Sequence, residues 1–451
     1  MKLSLKEKIG YGFGDLGNNF MFDLGNLYLL KFYTDVLGIS PAVGGLVFLV
    51  SKIADAFIDS SVGTFLDSRS KIGKRGKFRP FILFGTVPLF LLTLLTFLSP
   101  NLAGNGKVIW AFATYILFNA AYSVVNIPYG SLAASMTQDP VQRTSLSSFR
   151  MLGSYLAGLI TGMAVIPIIL MFSKPSIGYP IAIGIMGIFG IISHFFCYKN
   201  VNEYIVVKKK EGEKVPVGEI FKSLLTNRPL IGVLLVFIFT ISAQFIKQGV
   251  QIYFLQYNLG NIKLISQLTL IVFTCQLVAI IIAPRLTKRM GKKNVYILGL
   301  GISAVADTLN YLLPTTVTSF EILWCIGTFG LALGGAISWA MISDIVEYNE
   351  WKTGERTEGI IYSTCSFARK LAQALAGFIP GLVLTVIGYV PNATQSAVTL
   401  KGIRQLMFLY PAIFTVVTIL VLLFVHNLSD KRYKEILDDL VNKKAEKSRV
   451  A

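Results

Sequence analysis

Apolar runs of roughly 20 residues, the length that crosses a bilayer as a helix, recur along this chain from end to end between short polar breaks. The pattern predicts about twelve membrane-spanning helices. They fall near residues 11–37, 41–66, 79–99, 107–133, 147–172, 178–198, 229–256, 262–284, 294–314, 318–343, 359–390 and 403–426. The longest hydrophilic interruption, 199–228, lies between the sixth and seventh runs. The expected fold class is therefore an all-α membrane protein with twelve transmembrane helices in two six-helix halves. The halves span 1–198 and 229–426, joined by a linker over 199–228 and followed by a tail over 427–451.

Polar punctuation repeats between the halves. The basic Gly73-Lys74-Arg75-Gly76-Lys77 after the second run answers Arg289-Met290-Gly291-Lys292-Lys293 after the eighth, and Arg143-Thr144 after the fourth answers Arg356-Thr357 after the tenth. Two related halves leave such marks, and substrate sites in proteins of that kind lie near the midplane between them. A chance coincidence of short basic loops is the alternative.

Composition agrees with the membrane reading: 53% of the 451 residues are hydrophobic and 15% charged, with a mean hydropathy of +0.63. The net charge of +18 could suggest a nucleic-acid partner, but its distribution argues against one. Lys and Arg cluster in alternate breaks, for example Arg69 to Arg79, Lys199 to Arg228 and Arg285 to Lys293, whereas Asp35–Ser40 and Pro314–Phe320 are nearly bare. By the positive-inside rule both termini are cytoplasmic and the chain is a multi-pass protein of the cytoplasmic (inner) membrane. The basic opening from Lys2 to Lys8 runs into a span that holds Asp15 and Asp23, unlike a cleaved signal peptide. The four cysteines all fall within predicted spans without metal-like spacing, so neither a disulfide framework nor a zinc site is expected.

The informative exceptions are charges inside the apolar runs. Asp55 and Asp59 are four residues apart in the second run, a step that rotates only about 40° around a helix, so both leave one face, with Lys52 a turn earlier. A carboxylate at bilayer depth costs about 3 kcal/mol on the mildest scale, and such groups normally mark an ion or proton path. A buried Lys–Asp clamp is the plainer reading. Asp15, Asn19 and Asp23 form a second line on the first run, with the donors and acceptors that sugar hydroxyls need; interhelical bonds and a cytoplasmic-side lysine would account for them equally. Ser123 and Asn126 stand one turn apart just before Pro128, which frees a carbonyl for a cation or merely kinks the helix. Arg150, Arg369 and Lys370 bring positive charge to the fifth and eleventh runs, as site residues or as snorkelling side chains. Lys247 with Gln244, Gln248 and Gln251 suggests a cavity lining, and His194 an interface residue.

Taken together, Gly10-Tyr11-Gly12-Phe13-Gly14-Asp15, Phe32-Tyr33-Thr34-Asp35, Asp55-Ala56-Phe57-Ile58-Asp59, Gly76-Lys77-Phe78-Arg79-Pro80, Asn126-Ile127-Pro128-Tyr129 and Ser343-Asp344-Ile345-Val346-Glu347-Tyr348 resemble the glycoside–pentoside–hexuronide:cation symporter family of the major facilitator superfamily. The likeness covers nearly the whole chain. Gly14 to Phe20, Ser366 to Gln373 and Leu428 to Lys431 look most like its xyloside and glucuronide transporters. The resemblance implies that Asp55 and Asp59 hold the coupling cation, as metal ligands if that cation is sodium, with oxygens from Ser123 and Asn126. It implies a sugar site drawn from Asp15, Asn19, Asn126, Arg150, Ser366 and Lys370. The family's melibiose-transporting member has aspartates where this chain has Asn19 and Asn126, and an aromatic residue at Gly130, which puts galactoside specificity in doubt and suits a uronate or a pentoside.

The expected function is secondary import of a glycoside by symport with Na⁺ or H⁺. The partners are then a small-molecule sugar and membrane lipid, with no nucleic acid and no cofactor beyond the coupling ion. A lipid transporter on the same fold is the main rival, and it would leave fewer hydroxyl-matching groups at mid-depth. A channel lacks its charged rings, and an enzyme lacks a nucleophile–base pair or metal cluster.

Overall fold

The computed structural model describes residues 3–68, 75–204, 227–314, 316–354, 358–426, 428 and 430–450, and it is helical almost throughout. The basic loop 69–74, most of the linker (205–226) and Arg356-Thr357, which carried part of the repeat argument, lie outside those residues. In chain order the helices are α1 Leu5–Phe32, α2 Pro41–Ser68, α3 Arg79–Thr96, α4 Gly106–Met136, α5 Pro140–Leu170, α6 Pro175–Asn200, α7 Arg228–Tyr253, α8 Leu264–Met290, α9 Lys292–Leu312, α10 Val317–Thr353, α11 Glu358–Val386, α12 Ala397–Val425 and α13 Asp430–Val450. Single π-helical turns prolong α1 over Tyr33–Leu37 and α7 over Phe254–Asn258, and two more lie inside α12.

Among the described residues eleven helical stretches are long and apolar enough to cross a membrane. The 28-residue α1 is long enough as well but carries Asp15, Asn18, Asn19 and Asp23, and with it the count is the twelve that hydropathy predicts. Observed helices outrun the apolar stretches because polar caps extend them. Ser4 accepts from the Glu7 N–H while the Glu7 carboxylate accepts from the Ser4 N–H, a reciprocal cap that starts α1 six residues before its apolar run. Asp139, followed by Pro140, caps α5 by accepting from the Val141 N–H at 2.9 Å. The tenth helix continues to Thr353 rather than ending near 343, and the tail forms the helix α13, which hydropathy cannot register because it is mostly polar.

The chain gathers into two compact units. One holds Met1–Glu211, Gln248–Leu270 and Gly377–Ile403; the other holds Gly212–Lys247, Ile271–Ala376 and Arg404–Ala451. In the first, α1 packs on α5 and α6, α2 on α4, and α3 on α4 and α6. Glycine permits the closest of these crossings. A side chain at Gly153 would strike the Gly12 carbonyl, and one at Gly12 would lie 2.7 Å from the Phe149 carbonyl. Since Gly153 lies one turn beyond Arg150 and Gly12 one turn before Asp15, this contact of α1 with α5 brings those two charges together. In the second unit α9 packs on α10 and α12.

The sequence repeat has a physical counterpart in each unit. Glu203, just after α6, accepts from the backbone N–H groups of Lys77 (2.8 Å), Phe78 (2.8 Å) and Arg79 (3.0 Å), where α3 begins. Asp430, just after α12, accepts from the Lys292 N–H at 2.9 Å, where α9 begins. Each acid neutralises orphan donors and the positive end of a helix dipole. Each also lies against a glycine of positive φ, Gly76 (91°) and Gly291 (84°), where any side chain would collide with the carboxylate. A cation then closes each turn. Arg79 donates to the Tyr198 carbonyl at 2.7 Å, and Lys293 to the His426 carbonyl at 2.9 Å.

Buried cations find partners elsewhere too. Lys31, 5% exposed, pairs with Asp35 at 2.5 Å and lies within 4.7, 4.5 and 5.6 Å of the ring centres of Tyr253, Tyr257 and Tyr389. The Tyr389 hydroxyl donates to Asp35 at 2.8 Å, and Asn392 donates to the Asp35 carbonyl. This latch ties the end of α1 to the ends of α7 and α11 inside the first unit. Lys247, expected to line a cavity, is instead buried against Asp307 at 2.6 Å and over the Trp324 ring, because an ammonium at that depth requires a carboxylate.

Two outcomes follow from these contacts. Glu203→Ala strands three backbone donors and is expected to cost about 2 kcal/mol, read as a lower thermal midpoint of the purified protein, with Glu203→Gln losing less. Lys31→Met removes the latch charge. A cysteine placed at Thr34, 1% exposed, should then react with a maleimide roughly tenfold faster than in the Lys31 background.

Candidate functional site

The paired acids of α2 face α4. Asp55 is buried at 7% exposure, Asp59 is half-buried, and the Ser123 hydroxyl lies 3.0 Å from Asp55 Oδ1 and 2.5 Å from Asp59 Oδ1. A serine hydroxyl has one proton to donate. It can therefore donate to one of these two carboxylate oxygens at a time. Among the described residues no three His, Cys, Asp or Glu side chains gather as a metal set, so a sodium ion here would draw on hydroxyl, carbonyl or water oxygens beside the two acids. Lys52, a turn before Asp55, donates to Asn119 Oδ1 at 3.1 Å and lies 5.0 Å from the Phe22 ring centre.

The expected sugar residues of the first unit converge from α1, α4 and α5. Arg150 Nε donates to Asp15 Oδ1 at 3.1 Å, with the guanidinium 5.4 Å from the centre of the Tyr129 ring. The arginine side chain keeps 40% exposure while that of Asp15 keeps 9%. Asn19 Nδ2 donates to the Asp15 carbonyl of its own helix at 2.8 Å. Asn126 Oδ1 accepts from Asn18 Nδ2 at 3.3 Å. Ser366, exposed, and Lys370, half-buried, lie on α11 within the second unit.

Several participants escaped the sequence reading. Asn18 is fully buried and joins Asn126 to His194. His194, expected at an interface, is also fully buried, and its second nitrogen lies 2.8 Å from Thr86 Oγ1. His194 is buried because it faces the glycine stripe of α1, where Gly17 leaves room for the ring. Phe22 and Tyr122 stack at 5.0 Å between centres, both half-buried. Their signal was available in spacing, since Phe22 follows Asn19 by three residues and Tyr122 precedes Asn126 by four, which puts each pair on one helix face.

Comparison with known proteins agrees with this architecture. The family model described as MFS/sugar transport protein matches residues 10–430. The chain is 46% identical over 442 residues to the uncharacterized symporter YjmB of Bacillus subtilis (strain 168), covering 98% of this chain and 96% of that relative. It is 39% identical over 444 residues to a putative sulfoquinovose importer of Escherichia coli (strain K12), covering 98% and 95%. Among solved structures, the inward-open xylose transporter XylE from E. coli superposes with a TM-score of 0.62 over 97% of this chain and 98% of that one, a likeness of fold at 14% identity. Family and relatives are membrane transporters rather than enzymes, and this multi-pass chain belongs to the MFS/sugar transport protein family.

Proposed function

We propose that the chain imports a glycoside across the cytoplasmic membrane by symport with Na⁺ or H⁺, taking a uronate or pentoside sugar in preference to a galactoside. The observation that carries this reading is the single hydroxyl of Ser123 shared by Asp55 and Asp59. Two acids on one face of a lipid-immersed helix that share a hydroxyl from α4 make a set of oxygens suited to a particle that arrives and leaves. When it arrives it draws α2 and α4 together through the two carboxylates and Ser123. Because α4 also carries Asn126 and Tyr122, cation binding on one stretch of α4 steadies sugar-facing groups on the next. Thermodynamic linkage then requires the sugar to aid the cation equally. Movement of either ligand alone is disfavoured, which is the condition for symport.

An anionic sugar is favoured by the Arg150–Asp15 pair. The guanidinium is partly exposed and bound to Asp15 through Nε alone, so its remaining N–H groups can take a carboxylate or sulfonate in forked geometry. The relative named as a sulfoquinovose importer, whose sugar is a sulfonate, lends support. The stacked Phe22–Tyr122 pair offers an apolar face for a pyranose ring. Asp15, Asn19 and Asn126 supply hydroxyl partners, and Ser366 and Lys370 are the contributions proposed from α11.

In proteoliposomes, Asp55→Asn and Asp59→Asn should each reduce sugar accumulation at least roughly tenfold while downhill counterflow persists. Undiminished accumulation by either variant would remove the cation assignment. Sugar-driven alkalinisation identifies the proton as the coupling ion, and sodium stimulation without it identifies sodium. Arg150→Lys keeps the charge but loses the fork, so uptake of 4-nitrophenyl β-D-glucuronide should need about tenfold more substrate for half-saturation, with 4-nitrophenyl β-D-xyloside changed far less.

A further inference from the structure

Behind the sugar-facing surface runs a line of buried hydrogen bonds whose members none of the proposed roles uses. Thr86 on α3, His194 on α6 and Asn18 on α1 are 3%, 0% and 0% exposed, and the line ends at Asn126 on α4. The contacts are Thr86 Oγ1 to His194 Nδ1 at 2.8 Å, His194 Nε2 to Asn18 Oδ1 at 3.2 Å, and Asn18 Nδ2 to Asn126 Oδ1 at 3.3 Å.

A chain of this kind has a direction. Each internal member donates at one end and accepts at the other, so a choice at the imidazole sets every later group. With the proton on Nε2, histidine donates to the Asn18 carbonyl, Asn18 donates onward, and Asn126 must receive with its Oδ1, leaving its NH₂ as the amide's remaining group. With the proton on Nδ1, histidine donates to Thr86, both amides turn over, and Asn126 is left with its carbonyl oxygen. The two directions differ in what Asn126 offers a ligand: a donor, or an acceptor able to hold a cation.

The placement of the Asn18 amide sets the direction. It turns Oδ1 to His194 Nε2 and Nδ2 to Asn126 Oδ1, and an amide oxygen only accepts, so the imidazole donates from Nε2. The ring reaches α1 because Gly17 has no side chain; a Cβ there would lie 2.7 Å from His194 Cδ2 and 2.8 Å from Nε2. This arrangement selects the Nε2–H form.

We propose that Thr86, His194 and Asn18 are positioning residues that lock the Asn126 amide with its oxygen inward, making Asn126 a hydrogen-bond donor to a sugar oxygen and removing it from the cation's ligand set. The proposal rests on the sugar site described above and refines it. The coupling cation then depends on Asp55, Asp59 and Ser123, and the sugar atom opposite Asn126 is an acceptor, such as a ring, glycosidic or hydroxyl oxygen.

The test begins with a measurement independent of any sugar. The chain has two histidines, and His426 Nδ1 lies 3.3 Å from the Pro229 carbonyl, which calls for the opposite Nδ1–H form. Nitrogen-15 NMR of histidine-labelled wild-type protein, assigned with a His426→Gln variant, should show one ring of each tautomer, with His194 protonated on Nε2. An Nδ1–H or doubly protonated His194 overturns the proposal. Binding then tests the consequence, with 4-nitrophenyl β-D-glucuronide, 4-nitrophenyl β-D-xyloside and sulfoquinovose as probes. Asn18→Asp offers Asn126 an acceptor in place of a donor and turns its amide round; His194→Phe breaks the line, and His194→Gln restores a donor and an acceptor at its two ends. The sugar dissociation constant should rise about tenfold in Asn18→Asp and His194→Phe and return toward wild type in His194→Gln. Cation affinity measured without sugar should stay within about twofold. Weakened cation binding in both disruptive variants with unchanged sugar binding would overturn the proposal by returning Asn126 to the cation. If no probe binds the wild-type protein, the sugar class proposed above fails while the tautomer result still decides the direction of the line.

Discussion

A polar group at the depth of the hydrocarbon must find its partner inside the protein, and that requirement organises this molecule more than any other. Lys31 has Asp35 and a ring of tyrosines, Lys247 has Asp307, Arg150 has Asp15, and Lys52 has Asn119. Each pairing fastens one helix to another or staples one turn to the next. The Asp55–Ser123–Asp59 group joins α2 to α4 through one hydroxyl shared by two carboxylates.

Glycine supplies the means of fixing them. Gly12 and Gly153 let α1 and α5 approach until Asp15 meets Arg150, and Gly17 admits His194 to the face of α1 that Asn18 occupies. Close approach between helix backbones is how membrane helices gain contact where water no longer drives association. α1 therefore meets α5 through Asp15 on one face and α6 through Asn18 on another. The repeated carboxylates, Glu203 over the start of α3 and Asp430 over the start of α9, do similar work at the ends, each using a glycine to bring an acid onto open N–H groups. What read in sequence as matching basic punctuation is, in three dimensions, a matching helix cap with a cation closing the turn.

The twelve spans, the charges within them and the family were legible because hydropathy, helical spacing and motif order are local properties of the chain. Asp55 and Asp59 could be placed on one face by counting, and Ser123 could be paired with Asn126 by the same means. Counting failed where the partner lies far along the chain. Asn18 offered no signal of its own beside Asn19, His194 looked like an interface residue, and Lys247 looked like a cavity lining, because the groups that explain them are 108, 176 and 60 positions away. Helix ends were misjudged for a related reason: apolar runs report the part of a helix in lipid, while Ser4, Asp139 and the polar tail set where it begins and stops.

The sequence alone thus determined the number of spans, their apolar extent and which residues share a helix face, since each depends on the rise and rotation of a helix and on the cost of charge in lipid. Only the tertiary structure decided which buried groups meet. Ser123 lies between two acids, Asn126 accepts from Asn18, and Arg150 donates to Asp15 because of how closely particular helices cross. A crossing distance is a property of two distant surfaces together, and neither surface states it by itself.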